Sequence, residues 1–194
     1  VILTFDVETT HMPKPNGGYT PLPYFGNQLV SVGYKMFKEH PRVETAGVET
    51  DGYLCFYHEE RDPTPRGFEQ FQGVLDEADV VVGHNIKFDL NWVRECGFTY
   101  EGPVYDTMVA EYLLARARKW PLSLEALAKR YEVSEKKADL TKDYLKEGKT
   151  FAQIPWDIVE TYGIADVQAT WEVACKQVWE KYKTTWSEIY ETKC

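Results

Sequence analysis

The chain has 194 residues, of which 43% are apolar and 27% charged, and its formal charge is −9. Those proportions exclude a disordered, collagenous or fibrous chain and suit one domain with a sizeable core. No apolar run approaches the ~20 residues of a membrane-spanning helix, and the acidic balance argues against a general DNA-coating protein.

Val1–Phe5 reads as a short, buried strand. Residues 11–27 are rich in proline, glycine and asparagine and read as a long loop, which also carries Tyr19, Tyr24 and Phe25. Leu29–Phe37 and Tyr53–Tyr57 read as a second and a third strand. Phe68, Phe71, Val74 and Leu75 recur at helical spacing, and Val80–Val82 forms a buried strand stopped by Gly83. Ile86–Cys96 is the next helix, ended by Gly97. Val104 and Tyr105 make a brief strand, and a helix runs from about Thr107 to Ala117. Ser123 caps a further helix, a short one covers Lys142–Lys146, and Pro155 suits the first position of a last helix reaching about Tyr182. Three strands, then alternating helix and strand, then helices describe an α/β domain with a mixed sheet.

Charge is segregated along this order. Residues 116–149 hold ten Lys/Arg and six Asp/Glu, a net +4, so the rest of the chain carries −13. Such a strip is either a solvated helical face or a track for phosphates. The cysteines at 55, 96, 175 and 194 contain no C-x-x-C pair and read as free thiols of a reducing compartment. The histidines at 11, 40, 58 and 84 form no ligand-spaced cluster, which disfavours a zinc enzyme.

The carboxylates are more telling. Asp6 and Glu8 are expected at the end of the first strand, where residues two apart point to one side. Like charges so placed repel, and a divalent cation between them is the economical answer. Asp89 falls early in the helix after Val80–Val82, where it also complements the helix dipole. His84 satisfies a turn there, and Asn85 is placed to cap the helix. Tyr162 and Asp166, four apart on the last helix, share a face. Gly163 between them costs up to ~1 kcal/mol in a helix interior, which a close backbone approach would explain. Asp106 is placed to cap the helix that follows it.

Phe5-Asp6-Val7-Glu8-Thr9, Gly83-His84-Asn85-Ile86-Lys87-Phe88-Asp89 and Tyr162-Gly163-Ile164-Ala165-Asp166 together resemble the DnaQ-like 3′–5′ exonucleases. The subclass is the one with four acidic residues and a tyrosine. The histidine subclass would carry its histidine where this chain has Thr161. The second motif most resembles the proofreading domains of phage-type family A DNA polymerases.

The resemblance implies a ribonuclease H-like α/β fold: a five-stranded mixed sheet, an antiparallel meander plus two parallel strands, with helices on both faces. It implies a single exonuclease domain over 1–194, excised or truncated from a longer protein, in the cytoplasm of a bacterium or phage-infected cell. It also implies two divalent ions, Mg²⁺ or Mn²⁺. Asp6 would bridge both, Glu8 and Asp166 would complete one site and Asp89 the other, and Tyr162 would orient the attacking water. Thr9, Asn85 and Phe88 would touch the terminal nucleotide, although related domains often carry tyrosine in place of Phe88. The implied partners are the 3′ end of single-stranded DNA, a nucleoside monophosphate product and a DNA polymerase domain in the same or a partner chain, with no membrane. Two other readings stay open: RNA 3′-end trimming of the ribonuclease D type, and a nuclease-dead module that binds single strands or a partner.

Overall fold

The computed structural model describes residues 1–37, 48–116, 118–134 and 139–182. The expected helix end at Ala117, the lysines at 136 and 137, and the chain beyond Tyr182 lie outside the described residues.

The main sheet is built from β1 (Ile2–Thr9), β4 (Leu29–Phe37), β5 (Val48–Cys55), β6 (Val80–Gly83) and β7 (Val104–Asp106). Between β1 and β4 a small antiparallel ribbon, β2 (Met12–Pro13) with β3 (Tyr19–Thr20), interrupts the expected loop. The sheet order is β5-β4-β1-β6-β7. β1, β4 and β5 pair antiparallel, while β6 and β7 run parallel to β1. This is the expected five-stranded mixed sheet. The helices are α1 (Gly67–Glu77), α2 (Lys87–Glu95), α3 (Thr107–Leu114), α4 (Leu124–Tyr131), α5 (Asp139–Lys146) and α6 (Trp156–Tyr182). Among the described residues no helix is long and apolar enough to cross a membrane.

The two faces of β1 explain where the site forms. Successive strand residues point to opposite faces. Leu3, Phe5 and Val7 enter a core with Phe71 and Leu75 of α1 and Trp92 and Val93 of α2. Ile2 faces the other way, into a second core with Phe37, Val82 and, from α6, Trp171, Ala174 and Val178. Asp6 and Glu8 share the parity of Ile2, so the strand that buries apolar side chains toward α1 and α2 turns its carboxylates toward α6. Phe37 stacks on Trp171 with ring centroids 4.0 Å apart and anchors α6 to the sheet.

α6 is also tied to α3 and α4 by a buried polar group. Glu111 of α3, fully enclosed, accepts hydrogen bonds from Arg130 (2.5 Å) and Tyr131 (2.7 Å) at the end of α4 and from Gln177 of α6 (3.1 Å).

Several expected boundaries move. β1 does not stop at Phe5 but stays paired with β4 to Thr9, where the register shifts. Its pairing with β6 ends at Thr4. Asp6 and Glu8 therefore lie inside the strand toward β4 and beyond the sheet toward β6. The third strand covers Val48–Cys55 rather than Tyr53–Tyr57, because Tyr34 and Lys35 pair back to Gly52 and Asp51. Phe68 stays partly outside, stacked on Phe98 at 4.4 Å. Pro155 precedes the last helix, and its carbonyl accepts from Ile158 and Val159.

Candidate active site

Three of the four expected carboxylates meet directly. Ligand oxygens of Asp6, Glu8 and Asp166 all lie within 4.8 Å of one another. Glu8 and Asp166 are buried and Asp6 is half-buried. The cause is the geometry above: β1 offers Asp6 and Glu8 to the α6 face, and α6 crosses that face with Asp166 inward. An all-oxygen set of hard, anionic donors fits Mg²⁺ or Mn²⁺ rather than a soft metal.

Asp89 reaches the same place from the other side. It is the third residue of α2 and is buried. Its Oδ1 accepts the Val7 N–H at 3.0 Å, a backbone donor that β6 has stopped short of pairing. Burial, and next the charge of Asp6, push the Asp89 carboxyl well above the ordinary carboxylate range.

Tyr162 stands four residues before Asp166 on α6 and is largely buried. Its hydroxyl is hydrogen-bonded to Asp166. Burial first, then the charges of Glu8, Asp166 and Asp6, drive its pKa far above the usual phenol value. In the metal-free protein the phenol therefore keeps its proton and donates it to Asp166.

The remaining residues divide. Thr9 is buried at the register shift that ends β1. Asn85 is exposed, whereas Phe88 is half-buried against the first core. Asn85 does not cap α2 as expected. It adopts a left-handed conformation (φ 56°), and its backbone N–H donates to Asp106 Oδ1 at 3.0 Å. The helix instead starts after Ile86, with no side-chain cap. The same Asp106 oxygen accepts from Met108 and Val109 and does cap α3, as expected. His84 Nδ1 is 2.9 Å from Thr107 Oγ1, so it satisfies this turn. Tyr24 and Phe25 are exposed, and Tyr24 donates to Asn91 of α2 at 3.0 Å.

A cleft of about 460 Å³ opens beside Tyr162, lined also by Glu125, Asp139, Thr141, Lys142 and Lys146. It brings Lys142 and Lys146 of the basic strip, together with the acids Glu125 and Asp139, beside Tyr162. One neighbour was missed from sequence. Gly163 lies against the ring of Tyr53, 2.5 Å from where a Cβ would stand, so the close approach expected at this glycine is made by a side chain and not by backbone.

The family described as 3′–5′ exonuclease matches residues 49–181. The chain belongs to this family. The match includes Asp89, Tyr162 and Asp166 and begins after the strand that carries Asp6 and Glu8. DNA polymerase I of Borreliella burgdorferi is 28% identical over 105 residues, covering 54% of this chain and 11% of that protein. The DNA polymerase of Escherichia phage T5 is 33% identical over 116 residues, 51% of this chain and 14% of that protein. The matches thus span a small part of these polymerases' length. A solved structure described as the apo form of the nuclease superposes with a TM-score of 0.60 at 18% identity, over 94% of this chain and 73% of that one. At that identity it shows the shared fold. The reading of the chain as a polymerase-type 3′–5′ exonuclease domain agrees with these matches.

Proposed function

We propose that this exonuclease domain removes nucleotides from the 3′ end of single-stranded DNA, in a proofreading role and with two divalent ions, Mg²⁺ or Mn²⁺. One observation carries the reading. Asp6, Glu8 and Asp166 converge within 4.8 Å, while Asp89 is held on the same strand through Val7. Ions bound there would stabilise charge on the scissile phosphate and make the attacking water more acidic.

The chain's own residues supply the rest. Asp6 lies with Glu8 and Asp166 and is also felt by Asp89, so it would be the ligand shared if two ions bind, with Glu8 and Asp166 completing one site and Asp89 the other. The neutral hydroxyl of Tyr162, its proton held by Asp166, orients the water for in-line attack by accepting a hydrogen bond from it rather than acting as a base. Thr9, at the end of β1, and the exposed Asn85 meet the terminal nucleotide, with Phe88 behind them. Lys142 and Lys146, one turn apart in the cleft beside Tyr162, draw the phosphates of the incoming strand. The substrate is an unpaired end, and the product is a nucleoside monophosphate.

The polymerase relatives support a single exonuclease domain over 1–194 that works with a DNA polymerase domain in the same or a partner chain. Their bacterial and phage sources support action in the cytoplasm of such cells.

The test uses 5′-labelled single-stranded DNA and a matching RNA, each with Mg²⁺, Mn²⁺ or EDTA, beside Asp6→Ala. A metal-dependent ladder shortening from the DNA 3′ end, absent in the variant, is expected. A ladder on RNA alone would transfer the assignment to RNA trimming. No ladder on either would leave a binding module.

A further inference from the structure

We infer that Tyr53 is a positioning residue for the reaction, locking the turn of α6 that carries Tyr162 onto the sheet directly behind Asp6 and Glu8. The inference rests on the proposed nuclease function.

Tyr53 lies on β5 opposite Gly33 of β4, and Gly33 lies opposite Asp6 of β1. Its ring fills a slot between two glycines. A Cβ on Gly33 would stand 2.9 Å from the ring, and one on Gly163 would stand 2.5 Å from both Cε2 and the hydroxyl. Neither glycine has a positive φ. Both are therefore needed for space, not for backbone conformation. This accounts for a glycine in the interior of α6, where alanine would otherwise favour the helix by ~1 kcal/mol.

The hydroxyl completes the lock. It donates to the Val159 carbonyl at 3.1 Å and shares a hydrogen bond of 2.8 Å with Ser31. Ser31 is the residue paired across from Glu8. Val159 lies one turn before Tyr162 and Gly163 on α6. A single phenol thus ties the strand position facing Glu8 to the helical turn bearing Tyr162. Trp156 at the start of α6 packs edge-on against the same ring, with centroids 5.5 Å apart. A phenol keeps its proton at neutral pH, so the hydroxyl remains a donor to Val159.

The consequence is geometric. Nothing in this arrangement places Tyr53 against substrate. It sets the height of α6 over β1 and β4, and so the distance from Tyr162 and Asp166 to Glu8. Misplacing a reacting group by ~1 Å can cost about 100-fold in rate.

The experiment compares Tyr53→Phe, Gly163→Ala, Tyr53→Leu and the double variant Gly163→Ala/Tyr53→Leu with the wild type. Each is assayed on single-stranded DNA in Mn²⁺, after circular dichroism has established folding. Tyr53→Phe keeps the ring but loses both hydrogen bonds, and its kcat should fall by roughly 5- to 20-fold with KM within about twofold. Gly163→Ala should lose roughly 10- to 100-fold in kcat. Removing the ring tip should restore part of that loss, so the double variant should exceed Gly163→Ala. A Tyr53→Phe protein with wild-type kcat, or Gly163→Ala and Tyr53→Leu losses that simply multiply, would overturn the positioning role alone. An inactive wild type would overturn the functional reading and the positioning role with it.

Discussion

Replacing Asp6 by asparagine should make the metal-free protein more stable while abolishing its chemistry. Oxygens of Asp6, Glu8 and Asp166 lie within 4.8 Å of each other. At an effective dielectric of about 20, each ionised pair then repels by about 3.5 kcal/mol. Asparagine is close in shape, removes two of the three repelling pairs, and gives its neighbours an N–H donor. Solvent at half-buried Asp6 and proton uptake by the cluster absorb much of that energy. A net gain of roughly 1–3 kcal/mol is expected in EDTA. For a chain of this size that raises Tm by roughly 3–10 °C. In Mn²⁺ the ranking should change. An ion at 100 times its Kd stabilises the wild type by ~2.7 kcal/mol, and the variant has lost the shared ligand. Scanning fluorimetry in EDTA and across a Mn²⁺ series reads both effects, and high salt should shrink the EDTA gap. A variant less stable than wild type in EDTA, with an equal Mn²⁺ shift, would refute the idea that these three side chains form a strained, cation-seeking cluster.

Three further predictions follow from the same geometry. Tyr162→Phe should slow hydrolysis by ~10- to 100-fold but keep the Mn²⁺-induced Tm shift, because the phenol orients rather than binds metal. Its rate–pH profile should keep the wild-type shape, since the raised phenol pKa of Tyr162 contributes no ionisation in that range. Asp89 binds its proton more tightly in the folded than in the unfolded chain, so its contribution to stability is present at low pH and is lost as pH rises past the ordinary carboxylate range. Urea unfolding in EDTA should therefore show stability falling with pH in the wild type and a flatter curve for Asp89→Asn, whose amide oxygen can still accept the Val7 N–H. Thr4 is fully buried, and its hydroxyl has no hydrogen-bond partner among the described residues. Thr4→Val keeps the shape and should raise stability by about 1 kcal/mol in the same unfolding assay.

How the sequence encodes this site differs from element to element. The alternation of β1 is readable: Leu3, Phe5 and Val7 are apolar, and Asp6 and Glu8 fall on the opposite face. Its length is not, because two carboxylates in a row of apolar residues mimic a strand end. In fact only the β6 side ends there, and β4 pairing continues to Thr9. Spacing along α6 puts Tyr162 and Asp166 on one face, and Asp106 reads correctly as a cap because capping is local. Asn85 misleads for the opposite reason. Its side chain suits a cap, but its backbone is drawn into a left-handed turn by Asp106, 21 residues on. Tyr53 is the extreme case. It looks like one aromatic among many on a strand, and its partners Ser31, Val159 and Gly163 come from two other elements. Only the helix-interior glycine signals that something occupies the space beside it.

The most direct measurement is anomalous scattering from crystals of the wild type soaked in Mn²⁺ with a nucleoside monophosphate. Two manganese peaks are expected, one among Asp6, Glu8 and Asp166 and one between Asp6 and Asp89. No peak at these carboxylates, in crystals of a protein that shortens DNA from its 3′ end, would contradict this assignment.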